Sequence, residues 1–186
     1  MNSPIFITGN LAKVDYLTQV LGIQLEHRKL SLDEIQSADP RAVAEHKARQ
    51  AYDIFKQPVL VEDSYLSFNA LGGLPGPFVK FFYETPGSLE MMCRMFDGFQ
   101  DRTISVGAVY CYYDGVQSRC FDGRVEGVAA SHPRGKNGFG WDRIVEPSGY
   151  EGATLAELPL KESVLLYNNL DGFKRLRDYL FNREHV

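Results

Sequence analysis

The sequence predicts an α/β protein built on a mixed, twisted sheet. Two observations carry this. The first thirty residues read strand, turn, helix, strand, which is the start of a parallel βαβ arrangement. Further along, two β-rich stretches flank Asp114-Gly115, a dipeptide that favours an antiparallel hairpin.

Pro4–Thr8 is a short apolar run that ends in Gly9-Asn10, a turn. Leu11, Val14, Leu17, Val20 and Leu21 then recur at the spacing of one buried helix face, and Gly22 stands where a left-handed cap is expected. Ile23, Leu25 and Arg28-Leu30 predict a second strand. Asp39-Pro40 opens a second helix, with an acceptor at the cap and proline in the first turn. Along one broad side of it lie Val43, Lys47, Gln50 and Ile54.

Pro58–Val61 is a compact β-branched run, and Glu62-Asp63-Ser64 is expected to interrupt it. The segment Leu66–Pro77, with Gly72-Gly73, Pro75, Gly76 and Pro77, reads as a structured loop and not a strand. Thr85-Pro86 starts a helix carrying Leu89, Met92 and Phe96. Strands are expected over Thr103–Tyr113 and Gln117–Glu126, a glycine-rich basic loop over 128–142, and a helix from Ser163 to Asn182. With no repeat, low-complexity tract or linker, residues 1–186 read as a single domain.

Composition narrows the function classes. Lys and Arg number 20 against 24 Asp and Glu, which argues against a duplex nucleic-acid binder with its basic face. No apolar run is long enough for a membrane span, and the opening residues lack the pattern of a signal peptide. Cys93, Cys111 and Cys120 are an odd count with no metal-ligand spacing and read as buried or reduced thiols of a cytoplasmic protein, not as a disulfide framework.

Four places could carry chemistry. Thr8-Gly9-Asn10 is a glycine turn between strand and helix, where backbone N–H groups and the helix dipole favour a phosphate, with Lys13 one turn on. The alternative is an ordinary turn with a capping Asn. Glu34 and the pair Glu62-Asp63 are acids at or near strand ends, able to hold a hard divalent cation such as Mg2+ or to take a proton from water; a solvated strand end is the plainer reading. Lys47 and Lys80 are either surface lysines or point charges for a polyphosphate. Gly138-Phe139-Gly140-Trp141-Asp142 offers a ring to stack on a nucleobase and a carboxylate to accept from its N–H groups, or, for Trp141, simple core packing.

FITGNLAK, VLVEDSYLSFNALGGLPGPFVKFFYE and PRGKNGFGWD, in that order, resemble the inosine triphosphate pyrophosphatases, the Ham1-like nucleotide house-cleaning enzymes. The resemblance implies a two-lobed fold around a long mixed sheet flanked by helices, a cytoplasmic homodimer, and Mg2+-dependent hydrolysis of inosine- and xanthosine-type nucleoside triphosphates to monophosphate and pyrophosphate. It also implies roles. Thr8, Gly9, Asn10, Lys13, Lys47 and Lys80 would bind phosphate; Glu34 and Asp63 the metal, with Asp63 as proton acceptor and Ser64 beside the substrate; Phe139, Gly140, Trp141 and Asp142 the purine.

The resemblance breaks after Ala156-Glu157-Leu158-Pro159. Ser163 stands at the family's Lys, and Tyr167, Asn168 and Asn169 stand at its Ser-His-Arg, which reads the 6-oxo edge of the base. Ser163, Asn168 and Asn169 are therefore base-site candidates of altered chemistry. The alternatives are a shifted base preference and a nucleotide-binding protein without efficient catalysis.

Overall fold

The computed structural model describes residues 3–138 and 140–184, the side chains at 168 and 182–184 excepted. Phe139 and the side chain of Asn168 therefore lie outside the described residues. In chain order the elements are β1 (Ile5–Ile7), α1 (Leu11–Leu21), β2 (His27–Arg28), α2 (Pro40–Phe55), β3 (Val59–Phe68), β4 (Pro75–Gly76), α3 (Val79–Tyr83), α4 (Ser88–Arg94), β5 (Thr103–Tyr113), β6 (Ser118–Ala129), β7 (Val145–Pro147), α5 (Leu160–Asn168) and α6 (Asp171–Glu184). The seven strands form one sheet in the order β2-β1-β3-β5-β6-β7, with β4 pairing β3. β1 runs parallel to β2 and β3, whereas β4 and β7 pair antiparallel with β3 and β6. The sheet is mixed, as expected.

The chain divides into two compact units. The first holds the residues up to Ser64, Ala108–Gly123 and the segment from Val164 onward. Its core joins Phe6, Leu60, Tyr110 and Tyr112 of the sheet to Leu17, Val20 and Leu21 of α1 and Phe173, Leu176 and Leu180 of α6. Both early helices begin where acceptor side chains stop the preceding coil. Asn10 Oδ1 accepts from Ala12 N and Asp39 Oδ1 from Arg41 N. Gly22 closes α1 at φ 71°. Leu11, expected on the buried face of α1, is 64% exposed because it lies at the helix's first residue, beyond the core contact.

The expected break at Glu62-Asp63-Ser64 does not occur: β3 runs through these residues to Phe68. Polarity alone does not end a strand whose backbone keeps its partners. The β1 ladder stops at Ile7↔Val61, but β4 takes up Leu66 and Ser67 further on. The C-terminal helix, expected as one piece, is two. It breaks at Asn169-Leu170, and Gly172 then sits against the backbone of Asp122, where any Cβ would overlap its carbonyl.

The thiol reading is corrected as well. Asp114 Oδ1 accepts from Val116 N and Gln117 N, closing the hairpin tip. That register places Cys111 and Cys120 directly across from each other, three residues either side of the Asp114–Gln117 pair, and they form a disulfide. Cys93 is free and buried.

The second unit comprises Tyr65–Gly107 and Arg124–Ser163. Phe68 of β3 packs on Phe96 at 4.4 Å. The segment read as pure loop contains the end of β3 and the two-residue β4. The helix expected from Thr85 starts at Ser88 behind Gly87, and the short α3 precedes it. The loop after β6 is pinned to 154–158: Lys136 N and Asn137 N donate to Ala156 O, and Asn137 Nδ2 to Leu158 O. Arg134 in this loop is neutralised by Glu146 at 3.0 Å and Glu157 at 3.2 Å.

Candidate active site

β1 and β3 lie side by side and parallel, yet the chain leaves them in opposite directions, from β1 toward β2 and from β3 toward β4 and β5. Open α/β sheets bind ligands at such a switch point, outside the carboxyl ends of the strands. Two segments meet there. Thr8-Gly9-Asn10 follows β1, and Glu62-Asp63-Ser64 carries β3 past the last β1 pair at Val61.

Strand alternation then sorts the side chains. Glu62 and Ser64 continue the row of Leu60, the side of β3 that packs against α1. From α1 comes Lys13, whose Nζ donates to Glu62 Oε2 and, at 3.1 Å, to Ser64 Oγ. Ser64 Oγ in turn donates to Glu62 Oε1. Asp63 points to the other side, where α2 supplies Lys47. The Lys47 ammonium donates to Asp63 Oδ1 at 3.1 Å, to Glu34 Oε1 at 3.0 Å and to the Glu62 carbonyl at 3.1 Å. One strand thus presents an acid to each face, and each acid meets a lysine from a different helix.

Partners, not burial, separate the two acids. Asp63 is 6% exposed, and that burial lifts its carboxyl to about 6; Lys47 resists the rise, while Glu62 and Glu34 add to it. Glu62 is equally buried, but Lys13 and Ser64 outweigh the burial and hold it below its ordinary value. Burial pulls on Lys47 too, yet the surrounding carboxylates Asp63, Glu34 and Glu62 keep its ammonium above the usual range. Asp63 Oδ2 is buried with no hydrogen-bond partner among the described residues.

An unpartnered carboxylate oxygen beside a second carboxylate suits a hard cation or a water molecule. Among the described residues no group of three or more His, Cys, Asp or Glu could hold a metal. Glu34 and Asp63 make a two-carboxylate set, which fits an ion that takes its remaining oxygens from phosphate and water.

The other candidates are accounted for as follows. Thr8 Oγ1 accepts from Asn10 N at 3.1 Å, so Thr8 shapes the turn and Asn10 caps α1. The stem of Lys29, which sequence reasoning passed over, lies across Gly9, 3.1 Å from where a Cβ would stand. In the second unit, Lys80 is exposed on α3, 3.9 Å from Glu84. Trp141 is buried edge-on against Tyr83, the packing alternative. Gly140 precedes it at φ 59°, and the Asp142 carboxylate rests against Gly138. Ser163 Oγ donates to Leu160 O within its own helix. Tyr167 packs edge-on against Tyr16 at 5.2 Å and near Phe173, and Asn169 is exposed at the end of α5. Glu62 was visible in the sequence as half of an acidic pair; the period of two along β3 is the signal that gives it a separate face.

Comparison with known proteins follows the same outline. The sequence model described as "Ham1 family" matches residues 4–178. "Inosine triphosphate pyrophosphatase 2" of Trypanosoma cruzi is 42% identical over 160 residues, 84% of this chain and 81% of that one. "Inosine triphosphate pyrophosphatase" of Mycosarcoma maydis is 38% identical over 183 residues, 94% of this chain and 93% of that one. Among solved structures, a HAM1 protein from Coxiella burnetii superposes with a TM-score of 0.82 at 24% identity, covering 98% of this chain and all of the other.

Proposed function

This chain belongs to the Ham1 family, and from that premise we propose that it is a nucleoside triphosphate pyrophosphatase acting on inosine- and xanthosine-type triphosphates. The observation that carries the reading is the cluster of Lys13, Lys47 and Asp63 at one strand end, with Asp63 Oδ2 left open.

Two ammonium groups fixed within one cluster suit a polyanion, because a triphosphate needs several cations to balance its charge. Glu34 and Asp63 are the residues that would hold Mg2+, which when bound withdraws charge from the phosphate oxygens. Lys47 keeps Asp63 Oδ1 occupied, so Oδ2 is the oxygen free to take a proton. A carboxyl near 6 is ionised at neutral pH yet basic enough to accept that proton. Water then forms a bond to the α-phosphorus, its proton passes to Asp63, and the α–β anhydride bond breaks. The electron pair leaves with pyrophosphate, whose developing charge faces Lys13 and Lys47.

Thr8, Gly9, Asn10 and Lys80 are the further proposed phosphate contacts, Ser64 lies beside the substrate, and Gly140, Trp141 and Asp142 with Phe139 are the proposed purine contacts. A homodimer in the cytoplasm completes the reading. One observation favours an altered base preference: Tyr167, at the family's Ser, is drawn into the aromatic core of its unit, and Asn169 stands exposed where the family has Arg.

The test is pyrophosphate release from inosine, xanthosine, guanosine and adenosine triphosphates with Mg2+, repeated with a chelator. Turnover of at least one of them is expected, lost in the Asp63→Asn variant. Near-wild-type release by that variant overturns the role of Asp63, and no turnover of any substrate overturns the activity.

A further inference from the structure

The reaction as described leaves Glu62 without a task, although it is one of the two most enclosed charges at the strand end. Its carboxylate is 7% exposed and saturated by two donors: Lys13 Nζ on Oε2 and Ser64 Oγ on Oε1. Lys13 also donates to Ser64 at 3.1 Å, so the three side chains close a triangle. A buried negative charge beside a triphosphate site repels the ligand. Its presence there needs a compensating effect, and the triangle supplies one.

We propose that Glu62 is a positioning residue that, together with the Ser64 hydroxyl it holds, fixes the Lys13 ammonium with its third N–H preset for polyphosphate oxygens. The proposal rests on the triphosphate reading above. Lys13 reaches the cluster on a flexible stem from α1, and its side chain is 25% exposed. Untethered, it would sample many rotamers and would have to be ordered by the ligand at the ligand's expense in affinity. Ser64 faces the same carboxylate because residues two apart on β3 share a side, so one group orients both. Asp63, on the other side, keeps its own lysine and its hydrogen bond to it.

The two effects of Glu62 have opposite signs, which makes the idea decidable. If charge repulsion dominates, Glu62→Gln tightens polyphosphate binding. If positioning dominates, it loosens it. The full-length protein is titrated with inorganic tripolyphosphate in the calorimeter, and inosine triphosphate turnover is measured in parallel.

For Glu62→Gln, about a tenfold loss in tripolyphosphate affinity is expected, together with a raised KM and a smaller change in kcat. In a Lys13→Met background the same substitution should cost less than about threefold, because the group it positions is gone. Glu62→Asp, which keeps the charge and shortens the reach, should fall between wild type and Gln. Affinity equal to or above wild type in Glu62→Gln overturns the proposal, as does an equal loss with and without Lys13. Should Gln prevent folding, Glu62→Asp decides alone: a several-fold loss supports positioning, and wild-type affinity refutes it. A wild-type protein that binds tripolyphosphate without hydrolysing any nucleoside triphosphate would sink the catalytic reading only; one that binds none sinks both.

Discussion

Replacing Asp63 with Asn should make the protein more stable and nearly inactive at once. The reason lies in its proton affinity. Burial raises the carboxyl from 3.8 to about 6, so near neutral pH the folded chain carries an ionised group that the unfolded chain holds at lower cost. The sign follows from linkage. An acid whose folded value is raised adds no penalty below its unfolded value; the penalty grows as pH climbs from 3.8 to about 6, and is constant above that. A shift of about two units at 1.36 kcal/mol each amounts to about 3 kcal/mol at pH 8, and to about half of that at pH 5, where ionisation is partial. Lys47 is charged beside Asp63 in both protonation states, so its attraction is already counted. Asn, which is isosteric and never ionises, stands in for the protonated form. Urea unfolding of both proteins in excess chelator, at pH 5 and pH 8, measures the difference. The Asn variant should be the more stable at both, with the gap at pH 8 about twice that at pH 5. Its pyrophosphate release should fall by about a hundredfold or more, the size of a lost proton acceptor. A less stable variant at pH 8, or a gap that ignores pH, would refute the reasoning.

Lys47→Met removes the cation that holds Asp63 down, so the acidic limb of the pH–rate profile should move to higher pH while the residual rate drops; an unshifted limb would detach Lys47 from Asp63. Arg134→Met leaves Glu146 and Glu157 without their shared guanidinium and should destabilise the fold by about 2 kcal/mol, read by chemical denaturation, with base preference unchanged. The ratio of kcat/KM for inosine over adenosine triphosphate should be modest and should change when Asn168 and Asn169 are both made Ala; a high ratio that ignores that change would show that other groups read the base.

How much of this was legible beforehand depends on the range of the interaction. The caps at Asn10, Gly22 and Asp39, and the turn at Asp114, are local hydrogen-bond and dihedral preferences, and the sequence reading placed all of them. The continuation of β3 was not legible, because what keeps the strand extended is its partners distant in sequence, β5 beside it and β4 at Leu66 and Ser67, and not the polarity of Glu62-Asp63-Ser64. The break between α5 and α6 likewise depends on the backbone of Asp122, fifty residues upstream of Gly172. Cys111 and Cys120 were read as separate thiols, although the hairpin register that opposes them followed from the Asp114-Gly115 turn already noted. At the site, residue identities were readable, whereas the partition of Glu62 and Asp63 between two faces required knowing that they sit inside a strand and not after one.

That partition explains why two adjacent acids are tolerated at a buried strand end. Placed on one face, two carboxylates this enclosed would repel each other, and one would stay protonated. The pleat sends them to opposite sides, and the two early helices each return a lysine from their own side. The result is an asymmetric pair. Glu62 is saturated by Lys13 and Ser64 and held ionised, a fixed anchor. Asp63 keeps one oxygen unpartnered and a carboxyl near 6, a group poised to exchange a proton. Identical charge on neighbouring residues thus becomes two different chemistries. A swap of the pair, Glu62→Asp with Asp63→Glu, keeps composition and charge but alters both reaches by one methylene. If the faces do separate roles, that double variant should lose activity far more than it loses stability; retention of turnover would show that the strand end tolerates either acid in either place.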